Sequence, residues 1–403
     1  MAVTVNGASP SKAQKADLRA AFELAPSAAV ASGVSITGLT EANTLRFRTA
    51  LAATIAGTAD TFISINGDSN VMGHTTVSDG ARVWSWPVVL SRLLKRSLHN
   101  KTRIAGIYGD QNSPVAYPLY DTRVVYGTGW SAASGGLQVN GLDTGGIGGL
   151  YFKGDLNATG SLAVTPEVKF DRARIWFTKY STAGTATVNI DGGAALATMV
   201  GGNATESMAY VDISTTYGYH TINVTGPTVG NFYVTAIEWS VSTEAELLVR
   251  PMGKYGKRTA DIAEASKPWS SYNALTAFAS HMALFCLTIN DSNNSTPLAT
   301  YGSQLNSAVS RQLEVGDAVI MASPSNGTTQ GLNGQYQTYA AKAAEVATAL
   351  GVPFLDLGAR WGQYNEAAVL GMWANTNHPS QTVGYPDIAD QVDVLFRAIR
   401  ALG

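Results

Sequence analysis

The chain holds a single cysteine, Cys286, among 403 residues. One thiol excludes an internal disulfide framework and any metal site built from several cysteines. Charge is scarce as well: 27 Lys and Arg against 29 Asp and Glu make only 14% of the chain, with a net charge of −2. That balance lacks the basic excess needed to grip a phosphate backbone, so nucleic acid is not an expected partner. No apolar run approaches the ~20 residues that span a bilayer, so membrane insertion is not expected either. The opening stretch Met1-Ala-Val-Thr-Val-Asn-Gly7 has neither a basic nor an apolar segment, and no secretory signal is read there. What the chain does have is 45% hydrophobic residues, enough for a buried core. At ~150 residues per domain its length predicts two or three domains. Its 41 glycines exceed the ~7% average share and predict many tight turns.

Residues 1–58 are rich in Ala, Ser and Thr and carry two related stretches, Leu18–Pro26 and Leu45–Ala53, each long enough for one short helix. Such a helix is marginal alone and must pack on the main body or on neighbouring copies. Thr61–Ile65 is β-prone and ends in Asn66-Gly67-Asp68-Ser69-Asn70; Leu90, Leu93, Leu94 and Leu98 then follow at helical spacing. Between residues 120 and 245 short alternating runs recur about every ten residues, among them Arg172–Phe177, Thr185–Asp191, His220–Val224 and Phe232–Ile237. That rhythm predicts an inserted all-β sandwich. The α/β rhythm resumes with continuous apolar runs at Met282–Ile289, Asp317–Ala322 and Val352–Leu357, separated by helical segments. A closing helix from Ile388 to Leu402 puts Val392, Leu395, Phe396 and Ile399 on one stripe. The expected fold class is therefore α/β, a mainly parallel sheet built from 59–119 and 246–403, covered by helices on both faces.

Sites in open α/β sheets form where strands end, so the polar residues just after the apolar runs matter most. Ser69 follows the first strand, Asn290-Asp291 follows the central one, and His378 stands before the last helix. A hydroxyl, an amide and an imidazole are the groups that nucleophilic acyl transfer requires. As structural residues they would instead cap helices or line a turn. Other signatures fail. Gly-x-Ser-x-Gly is absent, Pro251 and Arg258 spoil the likeness of residues 251–259 to a phosphate loop, and Asp291–Ser295 lacks the glycine of a calcium loop. His74, His99, His220 and His281 show no metal-ligand spacing, though His74 is close enough to Ser69 to line a site mouth.

In order, Gly67-Asp68-Ser69, Thr288-Ile289-Asn290-Asp291 and Asn375-Thr376-Asn377-His378-Pro379 resemble the first, third and fifth sequence blocks of the SGNH (GDSL-like) hydrolases. The resemblance spans about 60–115 and 247–403, and it implies a three-layer, flavodoxin-like α/β/α fold. It implies Ser69 as nucleophile and His378 as general base. It also implies an oxyanion hole from the Ser69 N–H, the Asn290 side chain and a glycine N–H, assigned to Gly256 with Gly109 as the competitor. No cofactor or metal is implied. Two positions depart from the pattern: Asn375 stands where the family has Asp, and Thr288 where it has Gly.

The resulting expectation is a serine esterase acting on an acetylated cell-surface glycan. Trp130, Tyr151, Trp176, Tyr217, Tyr219 and Trp239 supply aromatic surface in the β region for stacking on sugar rings, or else core. The small-residue stretches of 1–58 resemble those of phage tail-fibre proteins. They suggest a homotrimeric tail spike attached to other tail proteins through this region, hence a virion location, with an extracellular one as the alternative. The rival expectation is an inactive receptor-binding tail protein on the same fold, suggested by the two departures.

Overall fold

The computed structural model describes residues 33–74, 81–108, 120–133, 151–227 and 229–402. The Leu18–Pro26 stretch and Gly109 lie outside them. A seven-stranded mixed sheet forms the frame: β1 (Ser35–Thr37), β2 (Thr61–Gly67), β3 (Thr102–Ile104), β4 (Leu247–Gly253), β5 (Met282–Cys286), β6 (Asp317–Ala322) and β7 (Phe354–Asp356). Their spatial order is β1-β7-β6-β5-β2-β4-β3, and every pairing is parallel except β1 with β7. The continuous apolar runs become β5 and β6, buried along their whole length, as a strand covered on both faces must be.

Helices lie on both faces. One core joins Ile63, Ile65, Leu284 and Val319 to α1 (Leu45–Ile55), α3 (Trp86–Ser97) and α8 (Gly384–Ala401). The other joins Ala283, Phe285, Ala318 and Ile320 to α6 (Leu298–Leu313) and α7 (Gln335–Leu350). Along β5, β6 and β7 the side chains alternate between these two cores, the period-2 consequence of the pleat.

Two antiparallel sheets interrupt the frame between β3 and β4. One has five strands and the other six, and they pack around a shared cluster that includes Ile175, Phe177, Val188, Ile222, Val224 and Val234. Two features of the chain differ from the sequence expectation. Residues 35–55 do not stand apart with the N-terminal region: β1 pairs with β7, and Phe47 of α1 is fully buried, its ring 5.3 Å from Phe396. The apolar face of a short helix finds its cover on the α/β frame. The β region also begins before residue 120, because Gly106–Ile107 pairs with the strand Phe232–Ser240. The β region is also tied tightly to the frame. Glu238 accepts from Tyr108 Oη (2.8 Å), Trp176 Nε1 (2.9 Å) and Arg250 Nε (2.8 Å), all buried, and the Trp176 ring stacks on Phe278 at 4.2 Å. Removing the region would strand Arg250 of β4 as a buried unpaired cation, a strongly destabilising change.

Candidate active site

The neighbour order shows why the site sits where it does. β2 is central; the chain goes to β3 and β4 on one side and to β5 on the other. Its carboxyl end is thus the switch point at which open α/β sheets place their ligands. There Gly67 is hemmed in: a Cβ would lie 2.3 Å from Val71 Cγ2 and 2.8 Å from the Cys286 carbonyl. With no side chain at 67, β2 can turn at once into α2 (Ser69–Met72). Asp68 caps that helix, its Oδ1 accepting from Asn70 N at 2.8 Å. Complete burial pushes the Asp68 carboxyl up to about 7. Ser69, 5% exposed, is the first residue of α2, so its N–H has no intrahelical carbonyl to reach. α2 ends at Gly73 with φ of +81°, and a Cβ there would meet Ser85. This tight stop directs His74 back over the site.

His378 Nε2 lies 3.0 Å from Ser69 Oγ, although 309 positions separate the two. On the far side of the ring, Nδ1 lies 3.2 Å from Asn375 Oδ1. The same oxygen accepts from Asn377 N (2.8 Å) and His378 N (2.9 Å). Two backbone N–H groups can be held only by the carbonyl end of an amide, so the atom facing the ring is an acceptor. Nδ1 must then carry the proton, which leaves the Nε2 lone pair facing Ser69 Oγ. The loop that holds this geometry closes on itself through Ala374 N to His378 O (2.9 Å).

Burial, and next the neighbouring His74, lower the His378 pKa to about 4. The two rings meet edge to face at 4.7 Å, and His74 in turn meets Tyr255 at 5.2 Å. Among the described residues no carboxylate touches the ring to offset that depression. An imidazole acts as a base only when neutral, so any activity that uses His378 in this way is expected to hold down to about pH 5 and to fall only as pH drops through about 4. A kcat/KM profile with an acidic midpoint near 6.5, the ordinary histidine value, would contradict this environment.

The remaining predicted residues lie on the turns that follow β4 and β5, the two strands flanking β2. Asn290, the second residue of α5 (Ile289–Asn293), donates from Nδ2 to the Lys257 carbonyl at 3.1 Å. That bond orients the amide and leaves its second N–H available to a ligand. Gly256, with φ of +70°, sits between Tyr255 and Lys257 in the turn between β4 and α4 (Thr259–Ala263). Its left-handed backbone is one that L side chains adopt rarely. Asp291 secures the turn from below, accepting from Thr259 N (2.8 Å) and Thr259 Oγ1 (3.0 Å). The Thr288 departure also has a structural reason. Its buried hydroxyl accepts from Ser323 N at 3.0 Å and lies 2.9 Å from Tyr336 Oη, tying β5 to the end of β6.

Tyr255, the Asp291–Thr259 tie and a knot of amides were not legible in the sequence. In the knot, buried Asn326 donates to Asn293 (3.1 Å) and to Asn377 (3.2 Å), so it joins α5 to the His378 loop. Scattered asparagines carry no periodic or motif signal that would reveal such a contact. Among the described residues no group of His, Cys, Asp and Glu could hold a metal ion.

No protein-family model and no curated protein sequence matches the chain. Solved structures do. A peptidoglycan O-acetylesterase superposes with a TM-score of 0.68 at 16% identity, over 91% of this chain and 99% of that one. A family two carbohydrate esterase from Clostridium thermocellum in complex with cellohexaose gives 0.32 at 11% identity, over 70% and 100%. A catalytic mutant of an acetylxylan esterase from Geobacillus stearothermophilus gives 0.29 at 15% identity, over 39% and 73%. The first of these likenesses shows a shared fold, a mixed α/β body with additional antiparallel sheets.

Proposed function

We propose that the chain is a serine esterase of the SGNH type that removes O-acetyl groups from a cell-surface polysaccharide. The observation that carries this reading is the aligned row Ser69 Oγ–His378 Nε2–Asn375 Oδ1, at 3.0 and 3.2 Å. In the reaction so read, Ser69 Oγ attacks the acetyl carbon while its proton passes to His378 Nε2. The carbonyl oxygen becomes an oxyanion, received by the Ser69 N–H, the Gly256 N–H and the Asn290 amide. Collapse expels the sugar alkoxide, which takes the proton from His378 and leaves acetyl-Ser69. Water, deprotonated by His378, then attacks the ester; acetate leaves and Ser69 Oγ regains the proton. The departures that suggest an inactive receptor-binding protein have places in this scheme, since Asn375 still fixes the tautomer and Thr288 is a buried structural tie.

The polysaccharide part of the reading draws on the fold shared with a peptidoglycan O-acetylesterase and on the aromatics of the β region. Trp130, Trp176 and Trp239 are buried and belong to the core, and the Tyr151 side chain is outside the described ones. Tyr217 and Tyr219, in contrast, are 58% and 67% exposed, with the Lys169 ammonium 5.7 and 5.6 Å from their rings. We assign sugar stacking to this pair. The tail-fibre-like composition of the N-terminal stretches supports placing the protein in a phage tail as a homotrimer, attached to other tail proteins by that region.

Two measurements test the function. Purified protein is expected to hydrolyse 4-nitrophenyl acetate and to release acetate from an O-acetylated polysaccharide; hydrolysis of neither substrate would overturn the assignment. The double substitution Tyr217→Ala/Tyr219→Ala is expected to lower kcat/KM on the polymer about three- to tenfold, the worth of one stacking contact. The small ester does not reach that surface, so its turnover should not change. Equal loss on both substrates would remove the tyrosines from glycan binding.

A further inference from the structure

The reaction read above fixes where the sugar must lie. Its alkoxide oxygen takes a proton from His378 Nε2 as the tetrahedral intermediate collapses, so that oxygen comes within hydrogen-bond reach of this nitrogen. The sugar ring attached to it therefore rests against whatever lines the mouth beside the base. Two aromatic rings stand there in succession. His74 meets His378 edge to face at 4.7 Å, and Tyr255 meets His74 in the same way at 5.2 Å. An edge-to-face contact occupies at most one face of either ring, so a face of Tyr255 stays clear of His74. Tyr255 is also 40% exposed, whereas Ser69 and His378 are buried.

The turn that carries Tyr255 is held without using its side chain. Gly253, which ends β4, lies so close on α2 that a Cβ would come within 2.5 Å of Met72 N. Lys254 N donates to the Gly67 carbonyl at 3.1 Å, and Lys257 N to the Lys254 carbonyl at 3.3 Å. On the far side of the turn, the Lys257 carbonyl accepts from Asn290, and Arg258 N donates to Asp261 Oδ2 of α4 at 2.8 Å. Tyr255 and Gly256 form the tip between these anchors, and both are exposed. A Cβ at Gly256 would meet nothing within 4 Å, so there is open room at the tip. With the backbone already fixed, a contact on Tyr255 orders only its two side-chain torsions. A pre-placed aromatic with a free face beside open space suits the apolar face of a sugar.

We propose that Tyr255 forms the leaving-group subsite: the sugar residue whose acetyl ester is cleaved stacks on the free face of its ring, with the ester oxygen turned toward His378. The inference rests on the esterase reading and adds to it the residue that selects a sugar alcohol over a small one. In that reading Tyr217 and Tyr219 grip the polymer on the β region, while Tyr255 acts at the sugar that reacts.

The test compares two acetate esters. Glucose pentaacetate presents an acetyl group at every substitutable position of the ring, and ethyl acetate has a leaving group with no ring to stack. Acetate release is followed for the parent, Tyr255→Ala and Tyr255→Phe. Tyr255→Ala is expected to lower the ratio of kcat/KM on the sugar ester to that on ethyl acetate about three- to tenfold, the worth of one stacking contact. The loss should come as a higher KM on the sugar ester, because the stacked ring is held equally in the ground and transition states. Tyr255→Phe keeps the ring and should keep the ratio. All three proteins should melt alike, since the side chain is exposed at the tip of a turn. An unchanged ratio in Tyr255→Ala, whether both rates hold or both fall together through His74, overturns the subsite and leaves the esterase reading in place. So does a ratio that falls as far in Tyr255→Phe, since the effect would then belong to the hydroxyl. A parent that hydrolyses neither ester overturns the esterase reading and the subsite with it.

Discussion

Ser69→Ala is expected to abolish hydrolysis of acetate esters, by a factor on the order of 10⁴ or more, because nucleophile and base act as a unit. The fold should survive the change. Ser69 Oγ contacts His378 Nε2, and losing that one bond costs about 1 kcal/mol net. The Asp68 cap on Asn70 N and the Ser69 O–His74 N bond do not involve the hydroxyl, so α2 keeps its form. Thermal melting should therefore shift by only a few degrees. Turnover of 4-nitrophenyl acetate and a circular dichroism melt, run on one preparation, decide the matter. Activity retained by a folded Ser69→Ala protein would remove Ser69 from the chemistry.

The second large effect concerns Asn375. Asn375→Ala removes the shared acceptor of three bonds: those from Asn377 N, His378 N and His378 Nδ1. The ring loses its tautomer lock, and kcat is expected to fall about ten- to a hundredfold, the worth of one or two hydrogen bonds in the transition state. The amide carries no charge, so in the proposed reaction Ser69 and His378 work as a dyad that Asn375 orients. Asn375→Asp keeps all three acceptor contacts and adds a negative charge beside Nδ1. An adjacent anion favours imidazolium, so the His378 pKa rises from about 4. A base must be neutral to act, so the acidic limb of the kcat/KM profile moves to higher pH. Above that limb, activity should match or exceed that of the parent, since the imidazolium formed in the transition state now has a charged partner. The pH profiles of the three proteins test this in one series. If Asn375→Ala is as inactive as Ser69→Ala, the dyad is wrong and the amide is indispensable. An acidic limb that stays in place in Asn375→Asp would show that the side chain does not face the ring in solution.

Much of the frame was legible before any coordinates. Continuous apolar runs such as Met282–Cys286 leave a strand no exposed face, and Val392, Leu395, Phe396 and Ile399 at helical spacing leave a helix one buried stripe. Both signals are local, so they survive in the linear chain. The fate of residues 35–55 was not local. A helix with two large buried residues, Phe47 and Leu51, could cover any apolar surface, and only the free edge of β7 and the Phe396 ring decide which. The same holds for the aromatics of the β region. Trp176 and Tyr217 look alike as sequence, yet one stacks on Phe278 and the other is exposed because they occupy different strands of a sheet whose register the chain does not print.

The site divides in the same way. Residue type and position after a strand pointed to Ser69 and Asn290, because a parallel sheet delivers its strand ends to one rim, and position before the last helix pointed to His378. Why Asn375 can stand where a carboxylate is expected is a tertiary matter. The amide oxygen is identified by two backbone N–H groups of its own loop, and that loop is clasped by Asn326 reaching over from the end of β6. The depressed pKa of His378 likewise comes from burial and from His74, which a left-handed Gly73 turns back across the ring. The linear order of this chain determined which groups exist and which strand ends carry them. Their protonation, tautomer and reach were decided only when segments hundreds of residues apart were packed together, because those properties depend on neighbours and on exclusion of water.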